Sequence, residues 1–233
     1  MRHTVSFVLV SLALSWPAFL TSAQTELRRE ALVERFLARV DEPLTQYRAV
    51  RRLTARNERF HKEGQLEAVT TLDPRTGFQY EVLTASGSSY VRNRVLEPIL
   101  RGEAKAFADG GAARASLTLA NYDFVPMDAD EEPYARVLIH PRRKDTLLVD
   151  GSIFVTAYDA DLVRIEGRLS KNPSFWTSRV EIAREYARIG GVRVPVRVQS
   201  QAWVKIAGRS NFVMTYEYKE INGRRIAPAE ETN

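Results

Sequence analysis

The 233-residue chain contains no cysteine. That absence removes disulfides, thiol nucleophiles, thiolate metal sites and an acylated-cysteine anchor at a processed N-terminus. Histidine is scarce: beyond His3 there are only His61 and His140, far apart and outside any His-Glu zinc spacing. No Gly-x-Ser-x-Gly elbow occurs, and Gly110-Gly111 and Gly190-Gly191 lack the flanks of a phosphate-binding loop. No later stretch is long and apolar enough for a transmembrane helix, so no stable membrane anchor is expected. No Pro-, Gly- or Ser-rich linker and no internal repeat divides the chain. The expectation is a non-enzyme with no catalytic residues, no metal ligands and no cofactor.

The formal net charge of +5 is modest and spread out, densest at Arg51-Arg52 and Pro141-Arg142-Arg143-Lys144. Nucleic-acid binding would want a concentrated basic stripe with stacking aromatics, so no nucleic-acid partner is expected. A weak attraction to anionic lipid headgroups stays open. Asp128, Asp130, Glu131 and Glu132 could hold a calcium ion but lack an ordered ligand spacing, and read as a hydrated acidic loop. Asp159 and Asp161 flank a turn, and Glu166 lies at strand spacing from both Arg164 and Arg168.

What is present begins with an export pattern. Arg2 and His3 precede the apolar run Val5 to Leu14, Trp16-Pro17 breaks it, and Thr21-Ser22-Ala23 supplies small residues. Residues 1–23 are expected to be a signal peptide cleaved after Ala23, leaving 24–233 as one periplasmic domain. Glu26 to Val40 reads as an amphipathic helix with Phe36 on its apolar face. Tyr47 to Phe60 is arginine-rich and extended, with alternation broken at Arg51-Arg52 as in a bulge or an edge strand. Leu66 to Leu72 and Phe78 to Val82 alternate around the turn Asp73-Pro74-Arg75-Thr76-Gly77, a hairpin signal. A helical stretch runs from Val91 to Phe107 with Pro98 inside it, which predicts a kink or two short helices.

The second half is a meander. Tyr122 to Val125, Tyr134 to His140, Leu162 to Leu169 and Trp176 to Tyr186 read as strands. Asp150-Gly151 reads as a turn leading into Ile153, Val155 and Ala157. From Val192 onward, Val194, Val196, Val198, Ala202, Val204 and Ile206 point one way while Arg193, Arg197, Gln199, Gln201 and Lys205 point the other. After Ala207-Gly208-Arg209-Ser210, Phe212, Met214, Tyr216 and Tyr218 repeat the pattern up to Asn222-Gly223. A sheet of about nine to eleven antiparallel strands with one dry face must twist, curl and be covered. The fold expected is mainly β with helices (α+β): an unclosed, strongly curled antiparallel barrel with helices on its concave face.

This order of elements resembles the outer-membrane lipoprotein-sorting (LolA-like) superfamily, which includes the sensor domain of RseB-type regulators. The resemblance lies in the leader, the first helix, the hairpin at Asp73–Gly77, the helical insertion and the meander. Within the meander it rests on Val163-Arg164-Ile165-Glu166-Gly167-Arg168-Leu169, Pro173-Ser174-Phe175-Trp176 and Tyr216-Glu217-Tyr218. It implies a half-barrel whose best-known members carry acyl chains of lipoproteins. The expected partner is therefore an acyl chain, lipid or lipoprotein. No binding residue is carried over from the family; the curled, helix-covered architecture itself offers Phe36, Phe154, Val196, Val198, Met214 and Tyr216 as the lining of an apolar cavity. The alternative is a non-enzymatic envelope interaction or sensor module with a solid core and a protein partner.

Overall fold

The computed structural model describes residues 18–127 and 133–227. Residues 1–17, which hold most of the expected signal peptide, the acidic segment 128–132 and the last six residues lie outside them. A helix α1 (Ala18–Ala38) leads into β1 (Tyr47–Asn57), β2 (Lys62–Asp73) and β3 (Gly77–Gly87). A helical cover follows: α2 (Ser89–Val91), a π-helical turn (Arg92–Leu96), α3 (Glu97–Ala108) and α4 (Gly111–Ala115). The meander then runs through β4 (Tyr122–Pro126), β5 (Tyr134–Pro141), β6 (Val149–Thr156), β7 (Leu162–Leu169) and β8 (Thr177–Ile189). It ends with β9 (Val192–Val204), β10 (Gly208–Ile221) and the two-residue β11 (Arg224–Arg225).

The strands form one antiparallel sheet of 11 strands in the order β3-β2-β1-β10-β9-β8-β7-β6-β5-β4, with β11 on β10. The path ends at β3 and β4 and does not close. The joint between β1 and β10 brings the two ends of the chain together along a register from Tyr47 opposite Ile221 to Asn57 opposite Ser210. Period-two alternation of apolar side chains sets which face is dry. All the helices lie on that face and divide it into two cores. One joins Val91, Leu96 and Leu100 of the cover to Leu53, Leu66, Val198, Phe212 and Met214. The other joins Leu32 and Phe36 of α1 to Ile139, Ile153, Val155 and Ile165.

The expected kink is a π-helical turn running directly into α3, with Pro98 in the first positions of that helix. Proline has no N–H to donate and its ring crowds the preceding turn, and the wider π-helical turn directly before it is where the helix departs from a straight rod. Two local readings are corrected. Asp150-Gly151 is no turn: both residues lie inside β6, where Gly151 faces Gly167 of β7. A Cβ on Gly151 would meet the Glu166 carbonyl oxygen at 2.1 Å, so the glycine is there for close backbone approach. Nor is Tyr47 to Phe60 an edge: β1 is flanked by β2 and β10, and its alternation runs unbroken through Arg51-Arg52. Arg52 points outward and Arg51 inward. The signal for a break was a charge on the dry side, which Glu103 neutralises.

Candidate functional site

The inner face is not uniformly apolar. Arg51 is 1% exposed, at the centre of the floor beneath the cover. Its Nη1 donates to Oε2 of Glu103 on α3 at 2.5 Å and its Nη2 to Oε1 at 2.9 Å, a two-pronged pair between floor and cover. Nη2 also donates to the Tyr47 hydroxyl. The guanidinium carbon stands 4.5 Å from the ring centre of Tyr216, 5.1 Å from Phe78 and 5.7 Å from Tyr47. Such ring faces are electron-rich and favour a cation, more so where water is excluded. The Nε of Arg51 has no hydrogen-bond partner among the described residues.

The electrostatics follow from this packing. Burial works against the charge on Arg51, but the Glu103 carboxylate more than reverses it, so the guanidinium stays firmly ionised. Burial pushes the Tyr216 hydroxyl up to about 12 and moves Tyr47 and Tyr218 in the same direction. All three are neutral donors and acceptors at ordinary pH. Arg184 on β8 continues the seam: its Nη1 lies 3.5 Å from the Tyr186 hydroxyl, the foremost influence raising its pKa. A polar, cationic seam thus runs along the floor near the junction of the two apolar cores.

The six residues expected to line one cavity are distributed. Val198 and Met214 are buried in the core under the cover, with Tyr216 packed against it. Phe36 is buried in the α1 core, 6.0 Å from the Phe124 ring. Val196 is half-buried and belongs to neither core, because the β8–β9 register shifts there and Glu185 and Tyr186 pair with Arg197 and Pro195. Phe154 is on the opposite face of β6 from Ile153 and Val155, with the Arg164 guanidinium 4.0 Å from its ring. The structure therefore gathers Val198, Met214 and Tyr216 into one place and leaves the other three elsewhere. Sequence reasoning missed Arg51 and Glu103. The available signal was the inward phase of Arg51, shared with Ala49, Leu53 and Ala55.

Other polar groups lie at the periphery. His140 Nδ1 is 3.0 Å from Asp150, whose other oxygen accepts from Arg168, and all this is on the helix-free side. Glu166 pairs with Arg164 at 3.3 Å, while Arg168 goes to Asp150. Asp161 joins Asp41 in accepting from Arg188, at 2.7 and 2.9 Å, which ties the chain after α1 to the β6–β7 turn. No group of three or more metal-ligating side chains occurs among the described residues. Open clefts are formed among the described residues. One, of about 810 Å³, runs over β6 to β10 and is lined mainly by side chains turned away from the helices, including Glu166, Glu181 and Gln199. Another, of about 690 Å³, lies between the 142–144 loop and the start of β8.

No protein-family model matches the chain, and no curated protein matches it in sequence. Solved structures similar to it include the following three. A LolA superfamily protein from Nitrosomonas europaea is 9% identical over 85% of this chain and 94% of that one, with a TM-score of 0.37. A domain assigned to outer membrane lipoprotein sorting from Vibrio parahaemolyticus is 8% identical over 88% and 93%, with a TM-score of 0.35. A DUF1329 family protein from Desulfovibrio piger is 8% identical over 82% and 90%, with a TM-score of 0.33. No residue role is carried over from any of them.

Proposed function

We propose that this is an exported, periplasmic, non-enzymatic protein that takes up an acyl chain or lipidated segment between its helical cover and the inner face of its half-barrel. The observation that carries the reading is the Arg51–Glu103 pair. A charge in the floor is neutralised by a residue of the cover, so lifting the cover uncovers both a cation and the apolar floor around Val198 and Met214. Removing one partner of a buried pair costs about 3–5 kcal/mol, so the pair acts as a catch on the closed state. The sequence resemblance to lipoprotein-sorting proteins and the export pattern of residues 1–23 support the same reading. Burying about ten methylenes at roughly 0.8 kcal/mol each yields about 8 kcal/mol gross. Ordering and association remove several kcal/mol, leaving an affinity around micromolar or weaker, suited to a carrier that must release its cargo.

The alternative is a solid-core interaction module working through its outer surface. It is favoured by one observation: open clefts of about 810 and 690 Å³ lie over the helix-free face and at the sheet end. Titration with a fluorescent fatty acid separates the two. Carriage predicts saturable binding, faster in Glu103→Gln because the catch is weakened. Well-folded wild-type and Glu103→Gln proteins that both fail to saturate would establish the interaction module instead.

A further inference from the structure

One end of the sheet presents aromatic side chains to solvent in a basic setting. Phe175 is 78% exposed, Trp176 55% and Ile206 63%, although each is large and apolar. Phe60 and Tyr90 are exposed beside them in the chain topology, after β1 and at the start of α2. These residues belong to separate loops that are fastened to one another. Lys205 N–H donates to the Trp176 carbonyl at 2.9 Å, joining the β9–β10 turn to the β7–β8 loop. Arg59 Nη1 donates to the Ile206 carbonyl at 2.7 Å, and Asn57 Nδ2 to the Ala207 carbonyl at 2.8 Å, joining the β1–β2 turn to the same place. The Phe175 and Trp176 rings meet edge to face, with centres 5.7 Å apart. The exposed rings are therefore held out by a built scaffold rather than by a loose loop.

Charge at this end is mostly positive, with Arg209 paired to Glu58 and Arg179 to Glu181 just beyond it. The segments 57–62, 170–179 and 203–211 carry six lysines and arginines and one carboxylate, Glu58. That excess of five equals the formal net charge of the whole chain, +5. All six cations are exposed. Lys205 Nζ stands 4.0 Å from the Phe175 ring and Lys62 Nζ 5.2 Å from the Tyr90 ring, so cation and ring form one surface. The β7–β8 loop also walls the 690 Å³ cleft with Arg142, Lys144 and Arg168, which continues the positive surface. Trp and Tyr rings, apolar in body with a polar N–H or O–H at the edge, suit the headgroup level of a bilayer, and Phe and Ile beside them add purely apolar surface. Lysine and arginine around them are drawn to anionic headgroups.

We infer that this end of the sheet is a docking surface for an anionic lipid bilayer, with Phe175, Trp176 and Ile206 entering the interface and the surrounding cations meeting the headgroups. The surface is separate from the floor beneath the cover, and the inference does not depend on what that floor binds.

The test is co-sedimentation of the full-length mature protein with phosphatidylcholine vesicles, with and without phosphatidylglycerol. Binding is expected to the anionic vesicles, weakened by salt, with a blue shift of tryptophan emission. Each cation near such a surface contributes about 1 kcal/mol, about fivefold, so Lys171→Glu with Lys205→Glu should weaken binding at least about 25-fold. Phe175→Ser with Trp176→Ser should weaken it at least about tenfold. These side chains are exposed, so both double variants should melt like the wild type and keep the same fatty-acid titration, which separates this result from failure of the carrier reading. Equal binding to neutral and anionic vesicles, or variants binding like the wild type, would overturn the inference. So would concentration-dependent self-association, abolished by the aromatic pair change, without vesicle binding.

Discussion

Arg51 and Glu103 are 52 residues apart in sequence and form a two-pronged ion pair across the interior, Nη1 to Oε2 at 2.5 Å and Nη2 to Oε1 at 2.9 Å. The arginine belongs to the sheet and the glutamate to the cover. Glu103→Gln should destabilise the protein by about 3–5 kcal/mol, because it leaves a buried cation without its counter-charge. Arg51→Met combined with Glu103→Gln should recover a large part of that loss, since neither charge then remains to be compensated. Urea unfolding of the wild type, Glu103→Gln, Arg51→Met and the double variant measures this; a double variant as unstable as the sum of the two single variants would remove the coupling.

The register of β9 can be tested at adjacent positions. Val198→Asp places a charge in the core beneath the cover, where the native side chain is buried, and should cost more than about 4 kcal/mol or abolish folding. Arg197→Ala, on the exposed side, should stay within about 0.5 kcal/mol. Val196→Asp should fall between them, because the register shift leaves that residue half-buried outside both cores. Thermal melts of the three decide the order.

Two glycines predict opposite signs. Gly151→Ala drives a Cβ to 2.1 Å from the Glu166 carbonyl oxygen and 2.6 Å from the Gly167 Cα, both backbone atoms that cannot swing away. A loss of about 1–3 kcal/mol or more is expected. Gly102 lies in α3 with nothing within 4 Å of an added Cβ. Gly102→Ala should raise stability by about 0.5–1 kcal/mol through helix propensity and a less flexible unfolded chain. Paired denaturation curves read both.

Acid should weaken the fastening of the chain after α1. Burial would raise the Asp41 pKa, but Arg39, Arg188 and Arg193 more than reverse this, and the net shift is downward from 3.8. A carboxyl that is more acidic in the folded state binds more protons when unfolded, so its stabilisation is present above its unfolded pKa and lost as pH falls through the folded one. Melting temperatures should therefore drop more steeply for the wild type than for Asp41→Asn between about pH 5 and pH 3. Parallel slopes would show that Asp41 adds nothing to the acid sensitivity.

Export predicts a mature product beginning at Gln24. N-terminal sequencing of protein recovered from the envelope of an expressing cell checks it, and a product that keeps Met1 would exclude cleavage.

The alternation of Val192, Val194, Val196 and Val198 and of Phe212, Met214, Tyr216 and Tyr218, with turns near Gly77, Gly208 and Asn222-Gly223, is enough to indicate a one-sided antiparallel meander, although Val196 lies outside both cores. Strand phase and turn chemistry are local properties, written within a few residues of where they act. The cover was equally legible from Val91, Leu96 and Leu100 at helical spacing, and Pro98 marked where it departs from a straight rod. Other features depended on residues brought together from far along the chain, and there local patterns misled. Arg51-Arg52 looked like a break because a lone arginine on a dry face is costly, and only the arrival of Glu103 and three aromatic rings makes it affordable. Asp150-Gly151 carried a turn signal, yet a close approach of its strand to Gly167 needs the same residue. The shared end formed by the β1–β2, β7–β8 and β9–β10 loops is invisible in sequence, since each loop alone is only a few polar and aromatic residues. Sheet order decided that they meet, because the strands they join run side by side across β1, β10, β9 and β8.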